Sequence, residues 1–281
     1  MGTSAQDSPT WHWDPSLYAG SARYYPVGRV AYPPEVADVL QAELGLDGRG
    51  RLLDVGCGPG SLTLLLAPLV AEAVGVDADA DMLAVADQLA TDAGVTNVAW
   101  RHLRGEDLPA DLPEMRVVTF AQSFHWMDRP RVAAAVRGLL APDGALVHVS
   151  AVTHEGVAGE TLLPHPRPPR DALEALVRSY LGNQRRAGQG VLTPSTPGGE
   201  DAVYRAAGFT GPHRVEIDGR VIERSAEEVA ASVYSLSSAA PHLFGDRFGA
   251  FDADVRRLLR QASPTGRFSE QMRPITLDLW R

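Results

Sequence analysis

The stretch from Leu52 to Gly60, L-L-D-V-G-C-G-P-G, constrains this chain more than any other. An apolar run ends near Asp54, three glycines alternate with other residues, and Leu62 to Leu66 open a helical pattern. A buried strand, a tight turn and a helix start are expected in that order. Glycine has no Cβ, so the backbone there can approach a ligand closely. The helix N-terminus beyond it offers unpaired N–H groups and a partial positive charge. Downstream, Val74-Gly75-Val76-Asp77 reads as a second strand that also ends in an acid.

Strand and helix then alternate through Arg51–Val55, Ser61–Val70, Ala73–Asp77, Ala80–Ala93, Val98–Leu103, Val117–Gln122, Pro130–Leu140 and Ala145–Ser150. This rhythm predicts parallel βαβ units in a doubly wound α/β sheet. Val36–Leu44 reads as a helix leading into it. After Ala151 the rhythm breaks. Helices are expected at Ala172–Leu181, Glu200–Gly208, Ala226–Leu236 and Phe251–Leu259, and strands at Val215–Val221 and Ile275–Trp280. That makes seven strands, mostly parallel, with α-helical and irregular lid inserts before and after the sixth. Three parts follow: an aromatic lid segment over 1–35, a cofactor-binding core over 36–152, and substrate-side inserts plus the final strands over 153–281. Ligands in such sheets bind beyond the carboxyl ends of the strands, so the inserts would roof the site.

Composition removes several classes of function. All 26 basic residues are arginine, which rules out a Schiff-base lysine or a P-loop lysine. Abundant Ala, Gly and Pro beside that arginine bias suggest a GC-rich coding sequence of the actinobacterial kind. A net charge of −9 argues against a nucleic-acid surface. No run approaches the length of a membrane span, and no signal segment opens the chain. One cysteine, Cys57, permits no internal disulfide. A cytoplasmic protein is expected, with a small-molecule partner left open rather than nucleic acid or membrane, and the sequence leaves a homo-oligomer open. The lead-in holds Trp11, Trp13, Tyr18, Tyr24, Tyr25 and Tyr32, too aromatic for a plain tail and suited to a flat, apolar acceptor.

The G-x-G-x-G spacing, with an acid two residues before it and Asp77 closing the next strand, resembles motif I of class I S-adenosylmethionine-dependent methyltransferases. Ser123-Phe124-His125-Trp126, after the fourth strand, is similar to a branch with an S-F-H-W pattern there. Trans-aconitate methyltransferases are among its relatives. Tyr18 to Tyr25 and Arg29 to Pro33 resemble that branch's lead-in, with Val30 where proline is usual. The resemblance implies a Rossmann-like methyltransferase fold, S-adenosylmethionine as cofactor and S-adenosylhomocysteine as product. It implies Asp54 for the methionine ammonium, Gly56, Gly58 and Gly60 along the methionine and ribose, and Asp77 on the ribose. Ala78 and Met82 would flank the adenine, with Gly105 and Glu106 at its edge. Arg104 stands where many relatives carry an acid. Gln122 would face the methionine, and Tyr24 and Arg29 would close over the cofactor.

Each candidate has a plainer reading beside it. Asp77 could cap the helix starting near Ala80. His125 could be a general base, since imidazole titrates near neutrality, or a histidine packed by Phe124 and Trp126. Tyr24 and Tyr25 could orient an acceptor or only pack the lid. Glu155 could take a proton or be a solvated loop acid. Asp128 could cap the next helix. Arg167, Arg170, Arg185 and Arg186 could hold an acidic substrate or form a solvated face. No metal-ligand spacing occurs among the histidines. The expected reaction is C- or O-methylation of an aromatic or heteroaromatic specialised metabolite. Alternatives are carboxyl methylation of a small acid, a nicotinamide-dependent oxidoreductase, or a non-catalytic cofactor-binding module.

Overall fold

The computed structural model describes residues 14–159, 162–184, 186–187, 190–191 and 199–281. Trp11, Trp13 and Arg185 lie outside the described residues. The chain enters through a 3₁₀ turn at Ala22–Tyr24, α1 (Tyr25–Gly28) and α2 (Glu35–Leu44). The alternating half then runs β1 (Arg51–Val55), α3 (Ser61–Leu66), β2 (Glu72–Asp77), α4 (Ala80–Asp92), β3 (Val98–His102), β4 (Met115–Ala121), α5 (Arg129–Leu139) and β5 (Leu140–Ser150). The second half holds α6 (Arg170–Leu181), a two-residue ladder of β6 (Arg186–Ala187) with β7 (Gly190–Val191), α7 (Glu200–Ala206), β8 (His213–Ile217), β9 (Val221–Ser225), α8 (Ala226–Tyr234), α9 (Phe248–Ala262), β10 (Arg267–Gln271) and β11 (Ile275–Trp280).

Seven strands form one sheet in the order β3-β2-β1-β4-β5-β11-β8. The first five run parallel, while β11 is antiparallel to both β5 and β8. The chain winds outward from β1 in both directions, so the crevice lies where β1 and β4 part. Two apolar layers cover the sheet. One gathers Leu53, Val118, Phe120, Phe124 and Trp280 under α5 and α7. The other gathers Leu52, Val147 and Leu277 under α2 and α3.

Sequence periodicity located most of these elements within a few residues; it did not give α1, β6 or β7, and one expected strand is corrected. The strand expected over Val215–Val221 is two strands that turn at Asp218-Gly219. The first, β8, completes the main sheet. The second, β9, leaves it and pairs antiparallel with β10, a strand the apolar pattern did not reveal. The reason is composition: Arg267-Phe268-Ser269-Glu270-Gln271 carries one large apolar residue, and its ladder is set by partners far away in sequence. This pair, with α6, α8 and α9, builds a cap with its own core around Val229, Tyr234, Phe251, Leu259 and Phe268.

Candidate functional site

A cavity of about 370 Å³ opens at the carboxyl ends of β1, β2 and β4. Asp54 comes to it on β1 and is 1% exposed. Its carboxylate accepts from the hydroxyls of Thr63 (2.6 Å) and Thr119 (2.8 Å). No guanidinium bonds it among the described residues. Burial therefore raises its pKa, and the two hydroxyls offset only part of that shift. A buried acid served only by neutral donors is suited to receive a ligand cation.

Asp77 ends β2 at the cavity wall. Its two oxygens accept from the Gly58 N–H and the Asp79 N–H, each at 2.8 Å. Burial pushes its pKa up to about 6 against the pull of those two N–H groups. The helix cap expected of Asp77 belongs instead to Asp79, whose carboxylate accepts from the backbone of Asp81 and Met82. An offset of two residues separates the two jobs, and Asp77 stays at the cavity wall.

The glycines of the turn divide their work. Gly58 has φ +54°, and a Cβ there would meet no other atom within 4 Å, so its α-carbon faces open space in the cavity. Gly60 does not line the cavity. A Cβ on it would come within 2.5 Å of the Trp100 ring, so this glycine serves packing of β3 on the turn. Its neighbours Pro59 and Ser61 do line the cavity. Gly56 lines the cavity and leaves room for Ser123, whose hydroxyl donates to the Val55 carbonyl.

Arg29, Ala78, Met82, Gly105, Glu106 and Gln122, the other residues the resemblance assigns to the cofactor, all line the cavity. Arg29 is held by the Ser235 hydroxyl (2.8 Å) and carbonyl (2.9 Å), with its guanidinium 4.5 Å over the Tyr25 ring. Glu106 is buried, accepts from the Asp128 N–H at 2.7 Å and pairs with Arg104 at 3.5 Å. Arg104, the departure from the expected acid, is thus the counter-charge for Glu106. Gln122 adopts φ +59° directly after β4. A non-glycine residue in this region costs energy, and such residues gather at functional sites.

Three expected residues stand elsewhere. Tyr24 turns away from the cavity into the cap, edge-on to Tyr234 at 5.0 Å. Tyr25 lines the cavity in its place, because the 3₁₀ turn passing into α1 rotates successive side chains to different faces. His125 does not reach the cavity. It lies beside Trp126 (centroids 4.8 Å) on the side of His148 and Arg129. Burial first, then those two groups, lower its pKa to about 4, so it is neutral at physiological pH. Glu155 stands on the loop after β5, 3.7 Å from His154. Asp128 caps α5.

Sequence reasoning counted Tyr18 only as one of the lead-in aromatics and gave Trp126 no site role of its own, and both line the cavity. Tyr18 bridges edge-on to Tyr25 (5.9 Å) and to Trp126 (6.2 Å). The two segments that carried the family resemblance, the aromatic lead-in and the S-F-H-W stretch, therefore meet in one wall. Their shared aromatic character was the available signal. Arg170, taken as a surface cation, is bound to buried Glu270 instead.

Comparison with known proteins agrees with this geometry. Residues 52–144 match the family model described as "Methyltransferase domain". A ubiquinone biosynthesis O-methyltransferase of Methylococcus capsulatus is 38% identical over 109 residues, covering 38% of this chain and 45% of that protein. An uncharacterized methyltransferase of Mycobacterium tuberculosis is 36% identical over 134 residues, covering 47% of this chain and 51% of that protein. The chain thus spans about half the length of these relatives. Among solved structures, a type II methyltransferase candidate of Anaeromyxobacter dehalogenans superposes with a TM-score of 0.50 over 89% of this chain and 95% of its own, at 22% identity, a likeness of fold. No helix among the described residues is long and apolar enough to cross a membrane. Residues 52–144 are a methyltransferase domain, of the kind that uses S-adenosylmethionine as its methyl donor.

Proposed function

We propose that the whole chain transfers the methyl group of S-adenosylmethionine to a small aromatic or heteroaromatic acceptor, at carbon or oxygen. The observation that carries this is the cavity where Asp54, Gly58 and Asp77 converge at the parting of β1 and β4. The cofactor fits the donor set. An uncompensated buried acid suits the ammonium, a carboxylate at the next strand end suits the ribose, and the missing Cβ of Gly58 leaves open space between them. Arg29 would take the methionine carboxylate through charge-assisted hydrogen bonds. Met82 and Ala78 would flank the adenine, with Gly105 and Glu106 at its edge and Gln122 toward the methionine.

When bound, the cofactor supplies a sulfonium-activated methyl group, which passes to the acceptor with release of S-adenosylhomocysteine and one proton. The chain's part is to align the two reactants and exclude water. Tyr18, Tyr25 and Trp126 form the wall that excludes water, and an aromatic wall accepts both a flat acceptor and a cationic sulfur. His125 and Glu155 lie outside the cavity, so the reading assigns neither as the base. We divide the chain into a lid segment over 1–35, the binding core over 36–152 and the substrate-side portion over 153–281.

Calorimetric titration with S-adenosylmethionine, S-adenosylhomocysteine and NADPH, repeated on Asp77→Ala, tests the reading. Both sulfur ligands should bind, and the variant should bind them about tenfold to a hundredfold more weakly, the worth of a charge-assisted bond. Binding of NADPH alone would sink it.

A further inference from the structure

Arg29 lines the cavity, and its guanidinium is fixed there in both plane and rotation. The Tyr25 ring sets the plane, with the guanidinium carbon 4.5 Å from the ring centroid. Ser235 sets the rotation. Its hydroxyl accepts from Nε at 2.8 Å and its carbonyl from Nη2 at 2.9 Å, so one residue occupies that whole edge of the fork. Two longer contacts complete the set, both at 3.5 Å: Nη2 to the Tyr25 hydroxyl, and Nη1 to Nδ1 of His154. The Nη1 end is therefore the least bound part of a guanidinium gripped along its other edge.

Ser235 stands 206 positions after Arg29, at the end of α8, and is fully buried. Its hydroxyl donates to the Ser232 carbonyl at 2.8 Å, which leaves the oxygen lone pairs to Arg29. Its N–H donates to the Ala231 carbonyl at 3.0 Å, which fixes the residue at the helix C-terminus, where the partial negative charge favours a cation. The helix in turn is fixed against the lead-in. A Cβ on Gly28 would come within 2.4 Å of the Ala231 carbonyl carbon, so α1 and α8 touch backbone to backbone. Buried Arg224, two residues before α8, donates to the Gly28 carbonyl at 2.6 Å. On the other side of α1, the Ser21 hydroxyl donates to the Tyr234 carbonyl at 2.9 Å. One cap helix thus holds the chain on both sides of α1 and the side chain that follows it.

We infer that Ser235 is a positioning residue for the cofactor: it holds Arg29 so that the Nη1 end is left for the methionine carboxylate. The inference rests on the methyl-transfer reading and deepens it. A charge-assisted bond depends on direction as well as charge, so a carboxylate gains most from a fork already aimed at it. An arginine without such a grip samples many rotamers, and ordering it on binding weakens the ligand. Ser235 supplies that order beforehand. The cap, expected only to roof the site, thereby takes part in cofactor recognition.

The test titrates the full chain by calorimetry with two ligands, S-adenosylhomocysteine and S-adenosyl-3-thiopropylamine, which keeps the ammonium and lacks the carboxylate. The natural protein should prefer the first by about tenfold or more, the scale of one charge-assisted contact. Ser235→Ala should cut that preference about threefold to tenfold, while the affinity for the thiopropylamine stays within about twofold. Ser235→Cys, close in size and poor as an acceptor, should do the same and replaces the alanine variant if that one does not fold. Arg29→Gln should remove the preference, and adding Ser235→Ala to it should remove nothing more, because both residues serve one contact. Equal weakening of both ligands by the Ser235 variants, an unchanged preference, or a further loss on top of Arg29→Gln overturns the inference. A natural protein that binds both ligands equally also overturns it and leaves the methyl-transfer reading standing. Failure of the natural protein to bind S-adenosylhomocysteine is read first, and removes that reading and this inference together.

Discussion

The sheet half and the cap are held together by different physics. Between β1 and β5, stability rests on apolar layers and parallel ladders, and the polar groups in the interior are few and locally paired, such as Asp54 with its two threonines. The cap has an apolar core too, but its junction with the sheet half is ionic. Glu270, 3% exposed, receives both Arg170 and Arg224, the latter 4% exposed, together with the Gly156 N–H. The same two guanidiniums donate to the His154 carbonyl, and Arg224 also reaches the Gly28 carbonyl beside Arg29. One buried knot therefore ties α6, β9 and β10 to the loop after β5 and to the lead-in. The contrast teaches where this molecule is tolerant. An apolar layer loses a methyl group gradually, whereas a buried charge cluster fails when a single member is removed.

The largest effect should come from breaking that knot. Glu270→Ala leaves two guanidiniums without their carboxylate and should cost about 3–5 kcal/mol in chemical denaturation, the range for uncompensating a buried pair. Burial alone would raise the Glu270 pKa, but its arginines and the Gly156 N–H hold it below the usual range. Its stabilisation is therefore complete at neutral pH and is lost as pH falls through the carboxylate range, and the variant should flatten that acid limb.

Next in size, on the sheet side, is Gly60→Ala. It combines a clash against Trp100 with a left-handed backbone (φ +76°) and should destabilise by about 1–3 kcal/mol. Residual S-adenosylhomocysteine binding by the folded fraction would be kept, because Gly60 does not line the cavity. Loss of binding without loss of stability would contradict that placement.

A smaller effect concerns pH. Asp77 titrates at about 6 in the folded chain, above its ordinary value. As a raised acid it favours folding when protonated, and its burial opposes folding increasingly as pH rises through 6. Ligand binding runs the other way, since the ionised carboxylate is the better acceptor. Affinity for S-adenosylhomocysteine should fall about tenfold between neutrality and about pH 5, a dependence that Asp77→Ala removes.

Smallest of all, Arg51→Ala at the start of β1 breaks a 2.9 Å pair with Glu72 whose side chains are both exposed. It should change stability by no more than about 1 kcal/mol. A loss as large as that of Glu270→Ala would erase the distinction between interior and surface charge drawn above.

The sequence by itself determined the sheet half and its glycine turn. Strand-turn-helix order is written in neighbouring residues, because a run of apolar residues, an acid and alternating glycines act over a few positions. Asp54, Gly58 and Asp77 were legible for that reason. Tertiary structure decided what depends on residues far apart in the chain. It separated Tyr25 from Tyr24, kept His125 out of the cavity, and gave Gly60 to Trp100. It also placed Tyr18 against Trp126 and set half-buried Arg170 on buried Glu270. Local pattern fixes which way a strand or helix begins, but which face a side chain presents is settled by distant partners that pack against it.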